Sequence, residues 1–420
     1  MVIKKLYDTI IIGAGAAGMA AACEISDAGF SVAVLDRENH PGGILMQCIH
    51  NGFGLHHFNE ELTGPEYAEL FIGRLKTFPV DIYLETTAVD ISAKPDAKTV
   101  TAYSAGHGVL LLQTRSIVLA MGCRERNRGN IGIPGTRAAG IFTAGLAQRL
   151  LNIEGCIPGK RVVIVGSGDI GLIMARRMTW VGANVLGVVE ILPYPSGLTR
   201  NIVQCLQDFD IPLYLSHGVT NINGKDRVDS VEISPLINGA PDSSQAFTIP
   251  CDTVLLSVGL IPENELSQKA EVVLNPDTGG PIVDQGYQTN VEGVFACGNA
   301  LHVHDLVDYV TEESERCGKS VAGYLKKGAV KQQAKTVPVA VGANLKYVIP
   351  NQCESGRETR FYMRSMIVKD KAELIIRQKD SIVHKQSLRY VRPAEMISLS
   401  LKKDTMKKIS PYASVEFSLR

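Results

Sequence analysis

The chain has 420 residues, 45% of them hydrophobic and 20% charged, with 43 lysines and arginines balanced by 43 aspartates and glutamates. That is material for two or three ordinary cores. A net charge of zero, with no long run of one sign, leaves no electrostatic footprint for nucleic acid or for an anionic membrane surface, so neither is expected as a partner. The first apolar run, Thr9 to Ile12, is far too short for a signal sequence or a membrane span, and the expected address is cytoplasmic.

A strand from Asp8 to Ile12 leads into Gly13-Ala14-Gly15-Ala16-Ala17-Gly18, a small-residue helix follows to about Ala28, and a second strand, Ser31 to Leu35, ends at Asp36. This is a βαβ unit carrying a dinucleotide fingerprint. Glycines are needed because a strand turns sharply into a helix there. A side chain would also hold a pyrophosphate away from the backbone N–H groups and the positive end of the helix dipole. Asp36 stands eighteen positions beyond Gly18, where a carboxylate can accept hydrogen bonds from both ribose hydroxyls of an adenosine. Pro41-Gly42-Gly43 comes next, and backbone without Cβ allows close approach to a diphosphate.

Thr99 to Leu112 alternates and turns back at Gly106 and Gly108 like a hairpin, and Ser116 to Met121 reads as a buried strand ending at Gly122. Gly129 to Gly135 reads as a linker. A second βαβ unit then begins with Val162 to Val165, passes through Gly166-Ser167-Gly168-Asp169-Ile170-Gly171 into a helix ending near Trp180, and closes with Asn184 to Val189. Its terminal acid, Glu190, lies nineteen positions after Gly171. Ile191 and Leu192 follow instead of arginines, so nothing in that turn pairs with a 2′-phosphate, and NADH is favoured over NADPH. Arg200 is the residue best placed to overturn this preference. Two nucleotides on one chain suggest hydride passing from one to the other.

Thr253 to Val258, closed by Gly259, repeats the pattern of Ser116 to Gly122. Gly293 to Asn299 is a strand reaching a glycine turn, and Val310 to Leu325 reads as a helix. Beyond Gly328, Tyr347 to Ile349, Phe361 to Val368, Glu373 to Gln378 and Val415 to Leu419 alternate without helical period, marking a separate β-rich unit. The nine cysteines are scattered with no C-x-x-C spacing, which excludes a zinc knuckle, an iron–sulfur loop and a local redox disulfide. Cys23, Cys205 and Cys297 are expected as small core groups.

These features, taken in order, resemble the FAD- and NAD-dependent oxidoreductases built like glutathione and thioredoxin reductase. The resemblance covers residues 5 to about 330. It rests on both fingerprints with Asp36 and Glu190, on Gly42-Gly43, on Ala120-Met121-Gly122, on Ser257-Val258-Gly259 and on Phe295-Ala296-Cys297-Gly298-Asn299. More narrowly, Gly42 to Leu55, His302-Val303-His304-Asp305-Leu306-Val307-Asp308 and Arg392-Pro393-Ala394-Glu395-Met396 are similar to a subfamily related to the subunits of opine oxidase and dye-linked proline dehydrogenase. Members of that subfamily often accompany an FAD-dependent glycerol-3-phosphate dehydrogenase.

The resemblance implies an α/β fold of two Rossmann-like domains, with the NAD domain (129–262) inserted in the FAD domain (1–128 and 263–333), plus a small β-rich C-terminal interaction domain (334–420). It implies FAD on Gly13, Gly15, Ala16, Ala17, Gly18, Asp36, Arg37, Gly42, Gly43, Ala120, Gly122, Gly298, Asn299, Val310 and Thr311. It implies NAD(P)H on Gly166, Gly168, Asp169, Ile170, Gly171, Glu190 and Gly259. The backbone N–H groups near Val310 and Thr311 are expected to open a helix whose dipole stabilises negative charge on reduced flavin. Asn299 replaces the family's usual aspartate, keeping a hydrogen-bonding amide without the charge.

Disulfide reduction by a cysteine pair is not expected, because neither family pair is present. Cys48, with His50 and Asn51 beside it, stands near where single-cysteine relatives place a redox thiol, and is either that thiol or a buried structural one. His304, with His302, is a candidate lining or proton-donating residue of the flavin pocket, and no metal is expected. The implied activity is NADH oxidation through FAD. Electrons leave to oxygen, a sulfur compound, a dye or a partner subunit docked on the C-terminal domain, and self-association is a further expectation. The rival readings are the flavoprotein component of a dehydrogenase for an amino or hydroxy acid and a non-catalytic relay or assembly component.

Overall fold

The computed structural model describes residues 2–94, 97–327 and 336–420. The chain divides into two compact units, Met1–Cys123 with Pro262–Arg420, and Arg124–Ile261. The boundary expected between residues 333 and 334 lies outside the described residues.

The first unit opens with β1 (Val2–Ile12), α1 (Ala16–Asp27) and β2 (Val32–Leu35). Ile10 and Ile11 are fully buried and Val32 to Leu35 almost so, as a parallel sheet covered on both faces requires. After α2 (Gly64–Leu75) come β3 (Val80–Tyr83), β4 (Thr86–Lys94), β5 (Ala97–Ser104) and β6 (Gly108–Leu119). The start of α2 is set by a capping box, Thr63 and Glu66 each bonding the other's backbone N–H. The sheet order is β3-β2-β1-β6-β5-β4. The second arm of the hairpin and the buried strand, read separately in the sequence, are one element: β6 lies parallel beside β1 from Val109 to Leu119, and its first half, Gly108 to Thr114, also pairs antiparallel with β5 on the other side.

The second unit begins with α3 (Arg128–Ile131), where the sequence suggested only a linker. Asn127 and Asn130 form a reciprocal cap there, and the Arg128 guanidinium bonds the carbonyls of Ile133 and Pro134. Next come β7 (Ile141–Thr143), α4 (Ala144–Asn152), β8 (Arg161–Val165), α5 (Asp169–Trp180), β9 (Asn184–Glu190), α6 (Thr199–Cys205) and β10 (Leu213–Leu215). An antiparallel group, β11 (His217–Gly224), β12 (Val228–Ile237) and β13 (Phe247–Pro250), precedes β14 (Thr253–Leu256). The main sheet, β7-β14-β8-β9-β10, is parallel throughout.

On its return the chain adds β15 (Val294–Ala296) to the free side of β6, Val294 opposite Ile117 and Ala296 opposite Leu119. It then forms α7 (Val307–Lys327), which starts three residues earlier than the sequence suggested. Small residues bring α7 against α1: a Cβ on Gly318 would stand 2.8 Å from the Ala21 carbonyl oxygen. The C-terminal strands are β16 (Thr336–Val341), β17 (Leu345–Ile349), β18 (Gln352–Glu354), β19 (Thr359–Ser365), β20 (Lys369–Gln378), β21 (Ser381–Val391), β22 (Met396–Leu401) and β23 (Val415–Leu419). They form sheets β18-β16-β23-β20-β21 and β17-β19-β22 around a core including Phe361, Leu374, Ile376 and Phe417.

Candidate functional site

Both glycine turns are built alike. A Cβ on Gly13 would lie 2.3 Å from the Ala120 carbonyl oxygen, and one on Gly18 would lie 1.8 Å from that of Gly13, so these two serve the turn and the close seating of α1. Gly15 differs, since a Cβ there would meet nothing within 4 Å among the described residues. That open space fronts the start of α1, whose N-cap makes no side-chain hydrogen bond to the described residues, which is the condition for receiving an anionic diphosphate. Gly42 donates its N–H to the Ala14 carbonyl at 2.8 Å, and Gly43 approaches Gly15 so closely that a Cβ would stand 3.1 Å from the Gly15 Cα. Asp36 Oδ2 accepts the Ala14 N–H at 2.6 Å and Oδ1 that of Glu38 at 2.9 Å, which fixes the carboxylate at the end of β2 beside the exposed Arg37. Ala16 and Ala17 lie buried under the turn, and Gly122 takes a left-handed φ of 71°. An uncapped helix start, an open glycine and a carboxylate at the ribose position fit an adenine dinucleotide.

In the second unit a Cβ on Gly166 would stand 2.1 Å from the Ser257 carbonyl oxygen and one on Gly171 would stand 2.6 Å from that of Gly166, whereas one on Gly168 would meet only Ser257 Oγ at 3.8 Å among the described residues. Glu190 Oε2 accepts the Ser167 N–H at 3.0 Å, as Asp36 does for Ala14, and also the hydroxyls of Ser167 and Ser196 at 2.6 and 2.5 Å. Asp169 Oδ1 holds the following segment, accepting the Leu198 N–H at 2.8 Å and the Asn201 amide at 2.6 Å. Ile170 is half-buried at the start of α5, and Gly259 has φ 97°.

The third turn, Gly298-Asn299, sits over α1, a Cβ on Gly298 being 2.6 Å from that of Ala17. Asn299 Oδ1 accepts the His304 N–H at 3.1 Å, and its Nδ2 points to Cys123 Sγ at 3.6 Å. Val310 and Thr311 lie inside α7 instead of opening it. The Val310 N–H bonds the Leu306 carbonyl, and Thr311 Oγ1 bonds the Tyr67 hydroxyl at 2.7 Å. The helix start is three residues earlier, at Val307.

His304 lies in the loop between the Gly298 turn and α7. Its side chain and those of His302 and Glu313 have no exposure at all. Glu313 Oε2 lies 2.8 Å from His302 Nε2, and Oε1 lies 3.3 Å from His304 Nε2 and accepts the Gly298 N–H at 2.8 Å. The two imidazole rings are 4.1 Å apart, with Tyr362 beside both and Tyr347 beside His302. Burial pushes the Glu313 carboxyl up, but the adjoining His304 and His302 outweigh it and hold the group well below the usual carboxylate range. Burial lowers His302, and the neighbouring His304 lowers it further. Potential ligand atoms of the three residues lie within 4.8 Å of one another. Metal-bound histidines, however, nearly always donate their second ring N–H, and neither Nδ1 here has a partner among the described residues. The arrangement suits proton exchange better than metal binding.

Cys48 caps a short 3-10 turn over Gly43–Gln47, with its Sγ 3.3 Å from the Ile44 carbonyl. Burial pushes its thiol up to about 12, so the group is a thiol, not a thiolate, at neutral pH. His50 Nδ1 is 3.1 Å from the Asn51 carbonyl and its ring stacks near Phe53 at 4.9 Å. These contacts turn His50 toward its own loop.

Glu313 carries no motif that marks it in the sequence. The available signal was a glutamate at helical spacing from Val310 and Cys317, on a buried face of α7 that also carries Asp308, Thr311 and Ser314. Ser196 and Cys123, which hold Glu190 and Asn299, are equally unmarked.

The chain matches the pyridine nucleotide-disulphide oxidoreductase family over residues 7–355. It is 28% identical over 327 residues to the A subunit of opine oxidase from Agrobacterium tumefaciens, covering 72% of this chain and 62% of that one. It is 26% identical to thioredoxin reductase of Treponema pallidum, covering 70% and 88%. Thioredoxin reductase of T. acidophilum shares the fold, with a TM-score of 0.63 at 24% identity, covering 76% of this chain and 98% of that structure. The chain thus spans about 60% of the length of the opine oxidase subunits it matches. Two glycine turns with their acids in place, and a match through most of the chain, assign it to the pyridine nucleotide-disulphide oxidoreductase family, whose members use FAD and NAD(P)H.

Proposed function

We propose that this flavoprotein takes hydride from NADH, bound on Gly166, Gly168, Asp169, Ile170, Gly171, Glu190 and Gly259, and passes the electrons to an acceptor other than its own cysteines. The observation that carries this reading is the repeated geometry of the two turns. In each, an open middle glycine fronts an uncapped helix and the terminal acid accepts the N–H of the residue after the first glycine. Asp36 and Arg37 serve the adenosine end of FAD, the first turn with Gly42 and Gly43 its diphosphate, and Ala120, Gly122, Gly298 and Asn299 the flavin end. FAD, when bound, supplies the hydride-accepting chemistry. The chain's part is binding and orientation. Glu190 also favours NADH as the donor, since its carboxylate, fixed by Ser167, Ser196 and Leu192, would repel a 2′-phosphate at the ribose. A thiol with its acidity suppressed at Cys48, and no second cysteine in its sequence neighbourhood, argues for an acceptor such as oxygen, a dye, a sulfur compound or a partner protein.

Anaerobic titration with NADH and then NADPH tests the proposal, with bleaching of the flavin expected first and faster with NADH. The likeness to the A subunit of opine oxidase supports one alternative, a flavoprotein component that an amino or hydroxy acid reduces and from which a partner removes the electrons. Bleaching by such an acid with no response to NADH would select it. A relay or assembly role with a vestigial site is disfavoured by the intact glycines and acids of both turns.

A further inference from the structure

The buried cluster of Glu313, His302 and His304 has no part in the binding roles above. One carboxylate and two bases without access to water are costly to keep unless their charges balance. With Glu313 ionised and His302 held neutral, the cluster keeps a vacant proton position at an imidazole. It is also wired to the flavin turn, since Glu313 holds the Gly298 N–H and the His304 backbone holds the Asn299 side chain.

The groups that face the cluster are either neutral or already paired. Tyr347 and Tyr362 come from β17 and β19, and Tyr287 from the segment before β15. Burial raises all three phenols, Tyr362 to about 12, so they stay neutral. Arg364 on β19 is paired with Asp305 at 2.5 Å. Arg316 on α7 bonds the Tyr362 hydroxyl, and Glu312 is paired with Arg360 at 2.9 Å.

We propose that His302, seated on Glu313, is a redox-linked proton site that takes up one proton from solvent when the flavin at the Gly298-Asn299 turn is reduced and releases it on oxidation. This rests on the reading that this turn holds the flavin. Hydride brings two electrons and one proton, adding one negative charge at the turn. A charge in so poorly screened a site raises the proton affinity of a nearby imidazole. The hydride donor supplies both electrons, water supplies the additional proton, and nothing else is oxidised or reduced. Glu313 acts as a positioning residue.

The test is proton counting during anaerobic photoreduction of the holoprotein in weakly buffered solution with an indicator dye, a reduction that does not involve NADH. Wild type is expected to take up about one proton more per flavin than His302→Asn near neutral pH. Equal uptake overturns the proposal. Should His302→Asn fail to hold FAD, histidine nitrogen NMR of the wild-type protein decides the same question: His302 should change from imidazole to imidazolium on reduction, and an unchanged spectrum overturns the proposal. Failure of NADH to bleach the flavin would strike the proposed donor alone, because neither measurement uses it.

Discussion

The guanidinium of Arg364 lies 2.5 Å from Asp305 Oδ1, and each side chain is only 17% exposed. The other Asp305 oxygen accepts the Met396 N–H at 2.6 Å, and Arg364 also donates to the carbonyls of Val303, Pro393 and Ala394. One ion pair therefore fastens the C-terminal strands to the loop that carries His302 and His304. The tail roofs the histidine cluster.

Arg364→Ala leaves Asp305 partly buried without its counter-charge, a change that costs about 3–5 kcal/mol. Urea denaturation followed by flavin fluorescence should show the midpoint falling and FAD released earlier. Ending the chain before Thr336 removes the whole roof and is expected to give an aggregating fragment. A soluble yellow fragment would contradict this.

Gly13 and Gly15 should respond differently to the same added methyl. Gly13→Ala combines a φ of 107° with a Cβ 2.3 Å from a backbone oxygen and should destabilise the fold itself. Gly15→Ala meets none of the described protein atoms, so the chain should fold with ordinary circular dichroism but lose FAD absorbance. Equal thermal destabilisation of the two variants would remove this division of labour.

Glu190→Gln replaces a four-bond acceptor with an amide that must aim an N–H at donors, loosening the Ser167–Ser196 contact and the ribose position together. The expected loss in NADH affinity is about 1.5–3 kcal/mol, the range for hydrogen bonds to charged groups. Stopped-flow bleaching at varied NADH concentration measures it. An unchanged Kd would mean that the ribose binds elsewhere.

Cys156 is exposed and Cys48 is buried, its thiol pushed up to about 12. Alkylation of the native protein should therefore modify Cys156 well before Cys48, and Cys48→Ser should leave flavin reduction intact. Rapid modification of Cys48 at neutral pH, seen by peptide mass spectrometry, would restore it as a redox thiol.

Both βαβ units were legible because their signals are local: a glycine spacing, an apolar run and an acid at a fixed offset. The continuity of β6 was hidden because Gly108 to Gln113 alternates while Ser116 to Leu119 is uniformly buried, one half being covered differently from the other. Strands such as β21, which runs through four consecutive polar residues from His384 to Ser387, lack the apolar alternation that marks a strand and are defined by pairing with β20. The site divides in the same way. Asp36 and Glu190 follow from offset, whereas joining Glu313 to His302 takes the folding of α7 back beneath the Gly298 turn, a tertiary fact with no short-range trace.

The late arrival of β15 beside β6 bears on how the protein is made. Ile117 to Leu119 emerge from the ribosome before the second unit is synthesised, yet their neighbours Val294 to Ala296 come only after it. Synthesis from the N-terminus thus completes the inserted unit while this hydrophobic flank still lacks its neighbour. A chain of this design has its greatest need of chaperone protection in that interval, at a strand edge that the finished protein never shows.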